Sequence, residues 1–121
     1  MARNPITYGF LDRACQIMEM PEFLMNMVQR PLVAEAILAH LVEIYKGIYG
    51  MFLDAVGPYV QMVEIGDDIG AQNNLLISPK MYRQFIKPAE QALYSLIHEK
   101  APNARLFRHT DGAIFNVIPD L

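Results

Sequence analysis

The first half of the chain repeats its apolar residues at helical spacing. Phe10, Leu11, Ala14, Cys15, Ile17 and Met18 recur at three- and four-residue intervals, which puts them on one face of a short helix ending near Met20. Pro21 and Pro31 each suit the first position of a following helix, where the missing N–H would have had no partner in any case. After Pro31, the residues Val33, Ile37, Leu41, Ile44, Ile48 and Phe52 draw a stripe along a longer helix, which Gly57-Pro58 closes. Gly47 and Gly50 weaken its last turns. Residues 1–58 therefore read as helical.

Past Gly57 the period changes. Val60-Gln61-Met62-Val63-Glu64-Ile65 is short, rich in β-favouring residues and bounded by Gly57-Pro58 and Gly66-Asp67-Asp68, which predicts a strand. Ser78-Pro79 then offers an N-cap hydroxyl and a first-turn proline to a helix whose apolar face is Tyr82, Phe85, Ile86, Ala89, Leu93, Leu96 and Ile97. Pro88 lies inside that pattern and should kink or divide it. Beyond Ala101-Pro102-Asn103, Arg105–His109 reads as a second strand, and Asp111-Gly112 turns into a short helical segment through Ile118. Residues 59–121 are thus strand, helix, strand, helix. Strands joined by a crossover helix run parallel, and parallel sheets need cover on both faces, so the unit implies more strands than the chain contains. The predicted class is α/β: a section of a larger fold, with N-terminal helices followed by a parallel βαβ unit.

Composition sharpens this picture. Charged residues make up 19% of the chain and hydrophobic ones 53%, more apolar surface than a 121-residue domain easily hides. Unpaired strand edges and a bare sheet face point to self-association as a symmetric dimer, with a partner copy supplying strands or laying the Val33–Phe52 stripe across the face. The alternative is a monomer whose strands collapse against the N-terminal helices. A net charge of −3 with no Lys/Arg cluster excludes a nucleic-acid partner. Cys15 is the only cysteine, so no intrachain disulfide forms and a reducing, cytoplasmic setting is expected. Residues 1–5 lack a signal-type apolar core, and charges interrupt the long apolar stretches, so no membrane association is expected.

In parallel α/β folds, chemistry collects at the carboxyl ends of the strands. Two polar sites fall there. Asp67-Asp68 sits between Gly66 and Gly70, with Gln72, Asn73 and Asn74 behind it. Adjacent carboxylates can work as acid and base or bind a cation; they can equally accept backbone hydrogen bonds in a Gly-rich turn. The second site is His109-Thr110-Asp111-Gly112. Strand alternation puts His109 and Asp111 on one side, able to share a metal or to orient the imidazole, while Thr110 points away; the competing reading is a turn that caps the next helix. Glu64, within an apolar strand and on the face of Asp68, needs a partner or a water-filled interior. His40 and His98 read as solvated or packed helix residues.

Three segments together, Gly66-Asp67-Asp68-Ile69-Gly70-Ala71-Gln72, then Leu76-Ile77-Ser78-Pro79-Lys80-Met81-Tyr82-Arg83-Gln84-Phe85-Ile86-Lys87-Pro88, then His109-Thr110-Asp111-Gly112, closely resemble the uroporphyrinogen decarboxylase superfamily. The resemblance is strongest from Val60 to Leu121 and implies a partial domain over residues 1–121, a section of a TIM (β/α)8 barrel. It implies either decarboxylation of uroporphyrinogen or methyl transfer between a corrinoid protein and a thiol or folate, and the Asp-Asp-x-Gly form is similar to the methyltransferase branch. Asp67, Asp68 and His109 would then be catalytic, Gln72 and Asp111 would bind substrate, and His109 with Asp111 would be the candidate metal ligands. Zinc-dependent members carry His-x-Cys where this chain has His109-x-Asp111, and a hard carboxylate in place of a soft sulfur weakens the case for zinc. The decarboxylase alternative needs basic residues for the substrate's carboxylates, and Arg83, Arg105 and Arg108 are the candidates. A third alternative is a non-catalytic, oligomeric module. With only two strand ends present, the chain alone is expected to be inactive.

Overall fold

The computed structural model describes residues 4–121. Helix α1 (Phe10–Met18) buries Phe10, Leu11, Ala14 and Cys15, the inner part of the face its spacing predicts. Glu19, at φ 62, breaks the helix there, and α2 (Met20–Gln29) follows at once with Pro21 in its first turn. Helix α3 (Pro31–Val56) begins on its proline and ends against Gly57.

The long helix does not present the predicted stripe to the core. Its buried side chains are those of Ala34, Leu38, Leu41, Tyr45, Tyr49 and Leu53, whereas Val33, Ile44 and Ile48 are exposed and Ile37 and Phe52 half-buried. The helix is apolar around most of its circumference, so periodicity alone could not choose a face. The core takes the side whose two phenols find acceptors at 2.7 Å, Tyr45 on the carbonyl of Tyr8 and Tyr49 on Oδ1 of Asn4. The same excess makes Pro31–Tyr59 long and apolar enough, by length and composition, to cross a membrane, contrary to the expectation that charges break every such stretch. In the structure this helix packs on the crossover helix.

Strand β1 (Met62–Gly66) and strand β2 (Arg105–His109) pair in parallel, with Met62 opposite Arg105 and Gly66 opposite His109. Between them Ser78 caps α4 (Pro79–Met81), accepting the Met81 amide at 3.2 Å. A π-helical segment, Tyr82–Ile86, leads into α5 (Lys87–Lys100). The helix is divided just ahead of Pro88, as expected, by a π turn: the Lys87 amide reaches back five residues to the Tyr82 carbonyl, widening the turn before the proline. Val63 and Ile65 are buried against the helices, and Met62 and Glu64 stand exposed on the other sheet face. Glu64 therefore needs no partner, because water reaches it. Phe107 and His109 share that open face, with Leu106 and Arg108 turned toward the helices. A 3₁₀ segment, Phe115–Asp120, ends the chain and is tied back by ion pairs of Asp120 with Arg83 (2.8 Å) and Lys87 (2.9 Å). Cys15 is buried and free, and burial pushes its thiol up to about 11, which makes it unreactive.

Candidate functional site

The loops that leave the two strands are fused backbone to backbone. Gly112 adopts φ +84, and an added Cβ would lie 2.5 Å from the Gly70 carbonyl carbon; at Gly70 it would lie 2.6 Å from the Asp111 oxygen. Only glycine permits that approach at either position. Hydrogen bonds close the seam: Ala113 N–H donates to the Ala71 carbonyl at 2.8 Å, and Ile69 N–H to the Thr110 hydroxyl at 3.3 Å. Thr110 thus faces away from the open mouth and acts as a tie between the loops.

On the open side, the fused loops bring together Asp68, His109 and Asp111, whose ligand atoms all lie within 4.8 Å of one another. Asp68 Oδ1 accepts the Asp111 amide at 2.8 Å, which fixes that carboxylate, and His109 Nε2 stands 3.7 Å from Asp111 Oδ1. The imidazole is half exposed and the Asp111 side chain 78% exposed, so both are reachable from solvent. Gln72 is exposed, in a turn closed by the 2.7 Å bond from the Ala71 amide to the Asn74 carbonyl.

Asp67 is not in the mouth. Extended backbone sends successive side chains to opposite faces, so Asp68 points out and Asp67 points in. Its carboxylate, 1% exposed, caps the N-terminus of α1, with Oδ2 accepting from Leu11 N–H at 2.9 Å and Oδ1 from Asp12 N–H at 3.0 Å. Asp12 returns the contact, its Oδ2 accepting from the Asp68 amide at 3.1 Å. Burial pushes the Asp67 carboxyl up to about 7, against the downward pull of those two amides. Of the adjacent carboxylates Asp67 and Asp68, the first accepts backbone hydrogen bonds as a buried cap and the second stands at the open side.

None of the three arginines is free at this mouth. Arg83 is held by Asp120, and Arg105 lies at the far end of β2, four residues and about 13 Å from His109. Arg108 is turned inward, its Nη2 2.6 Å from Oε1 of Glu90. Glu90 is itself 3% exposed, and its other oxygen accepts the Tyr82 hydroxyl at 2.6 Å. Sequence reading missed Glu90, although its spacing from Ile86, Leu93 and Ile97 puts it on the buried face of α5.

One imidazole and two carboxylates form an N/O donor set with no thiolate. It suits an oxygen-preferring divalent ion, or zinc held without sulfur, better than the Cys-rich zinc centre of thiol activation.

Parallel strands joined by a crossover helix, with polar groups gathered at their carboxyl ends, form the layout on which α/β folds build their sites. The family model described as uroporphyrinogen decarboxylase (URO-D) matches residues 8–121, and the chain belongs to that family. No curated protein and no solved structure matches the chain.

Proposed function

We propose that the chain is a barrel section of a methyltransferase-like member of the uroporphyrinogen decarboxylase family, in which Asp68, His109 and Asp111 engage the substrate and a corrinoid or folate partner carries the methyl group. The observation that supports this over decarboxylation is the commitment of Arg83 to Asp120 and of Arg108 to Glu90, with Arg105 at the opposite strand end. Among the described residues, two carboxylates gather with a histidine at this mouth, and the carboxylates repel a polycarboxylate such as uroporphyrinogen. In this reading Asp111, with Oδ1 3.7 Å from Nε2, orients the His109 ring, the other ring nitrogen gives or takes the proton, and Asp68 presents its free oxygen to the substrate. A divalent ion held by the same three residues would supply Lewis-acid polarisation.

The test is an anaerobic titration of the purified chain with methylcobalamin and, separately, with uroporphyrinogen. Methylcobalamin is expected to bind, more weakly after His109→Ala, and uroporphyrinogen is expected not to. No turnover of either is expected, because a barrel site draws on more than two strand ends. Uroporphyrinogen binding without methylcobalamin binding would install the decarboxylase reading instead.

The open sheet face, with Met62 57% and Phe107 48% exposed, together with the outward Ile44, Ile48 and Met51 of α3, leads us to propose that the isolated chain associates with a second copy. Sedimentation equilibrium is expected to show a concentration-dependent species above 13.8 kDa. A single species at that mass over a wide concentration range would end the proposal.

A further inference from the structure

The buried Arg108–Glu90 ion pair lies on the helix side of the strand ends that carry the mouth. Arg108 precedes His109, and Asp67 precedes Asp68. Alternation turns Arg108 and Asp67 to the helix side and His109 and Asp68 to the open side. The Arg108 guanidinium on β2 meets two other parts of the fold at this level. Its Nε (3.2 Å) and Nη2 (2.6 Å) both donate to Glu90 Oε1 on α5, and its Nη1 reaches the Asp67 carbonyl at the end of β1 at 3.5 Å. Glu90 Oε2 accepts the Tyr82 hydroxyl, which ties in the π segment. Burial beside Glu90 holds that phenol protonated, so it remains a donor. The Asp67 amide is bonded to the His109 carbonyl at 3.1 Å, which links the two strand ends directly.

Stability alone does not require this arrangement. Two desolvated charges gain little over a well-packed apolar pair of the same volume, and their distinctive property is directional fit. A planar guanidinium with fixed donor directions specifies the relative placement of α5, β2 and the end of β1 in a way that an aliphatic contact does not.

We propose that the Arg108–Glu90 pair, with Tyr82, is a positioning device: it fixes the carboxyl ends of both strands from the helix side, so that Asp68 and His109 hold their separation on the open side. Arg108 and Glu90 touch no substrate in this arrangement. The proposal rests on the reading of Asp68, His109 and Asp111 as the site, and its test does not use methyl transfer, so the two can fail separately.

The test is NMR on the full chain, comparing wild type with Arg108→Lys and with the uncharged double variant Arg108→Met/Glu90→Leu. Three readouts are followed: exchange of the Asp67 amide that donates to the His109 carbonyl, exchange of the Asp111 amide that donates to Asp68, and exchange of remote core amides such as Leu53 and Leu93. In both variants the Asp67 and Asp111 amides are expected to exchange at least ~10-fold faster than in wild type, with remote protection changed less than ~3-fold, the signature of local rather than global opening. Wild-type exchange at Asp67 and Asp111 would overturn the proposal. So would a uniform loss of protection, or failure of both variants to fold, since the pair would then hold the whole domain rather than the site.

Discussion

Gly112→Ala is expected to separate the two loops and scatter the Asp68, His109 and Asp111 group. At φ +84 the new methyl would lie 2.5 Å from the Gly70 carbonyl carbon and 2.7 Å from the oxygens of Gly70 and Ala71, all of them backbone atoms that cannot rotate aside. The left-handed backbone costs an alanine about 1–2 kcal/mol, and forcing an extra methyl into a packed seam costs about 1–3 kcal/mol more. Urea unfolding should therefore show a loss of about 2–5 kcal/mol, accompanied by rapid exchange of the Asp111 and Ala113 amides. Gly47→Ala is the control. Nothing lies within 4 Å of its added Cβ, and in the interior of α3 alanine should stabilise by up to about 1 kcal/mol. A Gly112→Ala protein as stable as wild type would mean that the loops do not depend on this contact.

The second large effect is expected at Asp67. Its carboxyl, ordinarily near 3.8, is raised to about 7 in the folded protein by burial. Between those values the folded state binds the proton that the unfolded chain has released, so stability should fall as pH rises from about 4 to about 7 and level off above. Asp12, also raised and chiefly by burial, adds to the same slope. Asp120, drawn down to about 2 by Arg83 and Lys87, acts in the opposite sense, and only below pH 4. Thermal melts should thus give a higher midpoint at pH 5 than at pH 8, and Asp67→Asn should flatten much of that difference. Asp67→Ala is expected to lower the midpoint at both pH values, because it strands the Leu11 and Asp12 amides in the interior at about 1–3 kcal/mol each. A wild-type midpoint that is flat from pH 5 to pH 8 would show that the cap stays ionised throughout.

Local chemistry along the chain determined the elements and their order. The Arg105–His109 strand, the Ser78 cap, the proline-started helices and the Gly57 stop all follow from residue type and spacing, because caps, prolines and period-two alternation act over a few residues. Alternation also placed His109 and Asp111 on one side of the chain, and carried one step past β1 it would have separated Asp67 from Asp68. Tertiary structure decided what depends on a distant neighbour. The choice between two apolar faces of α3 fell to Tyr45 and Tyr49, whose acceptors lie about forty residues away. Asp67 became a buried cap only because α1, 55 residues earlier in the chain, begins on it. Arg108 turns inward because α5 offers it Glu90. In each case a polar group had several possible partners of similar intrinsic strength, and packing removed all but one from reach, so the choice was made where desolvation makes an unpartnered group costly.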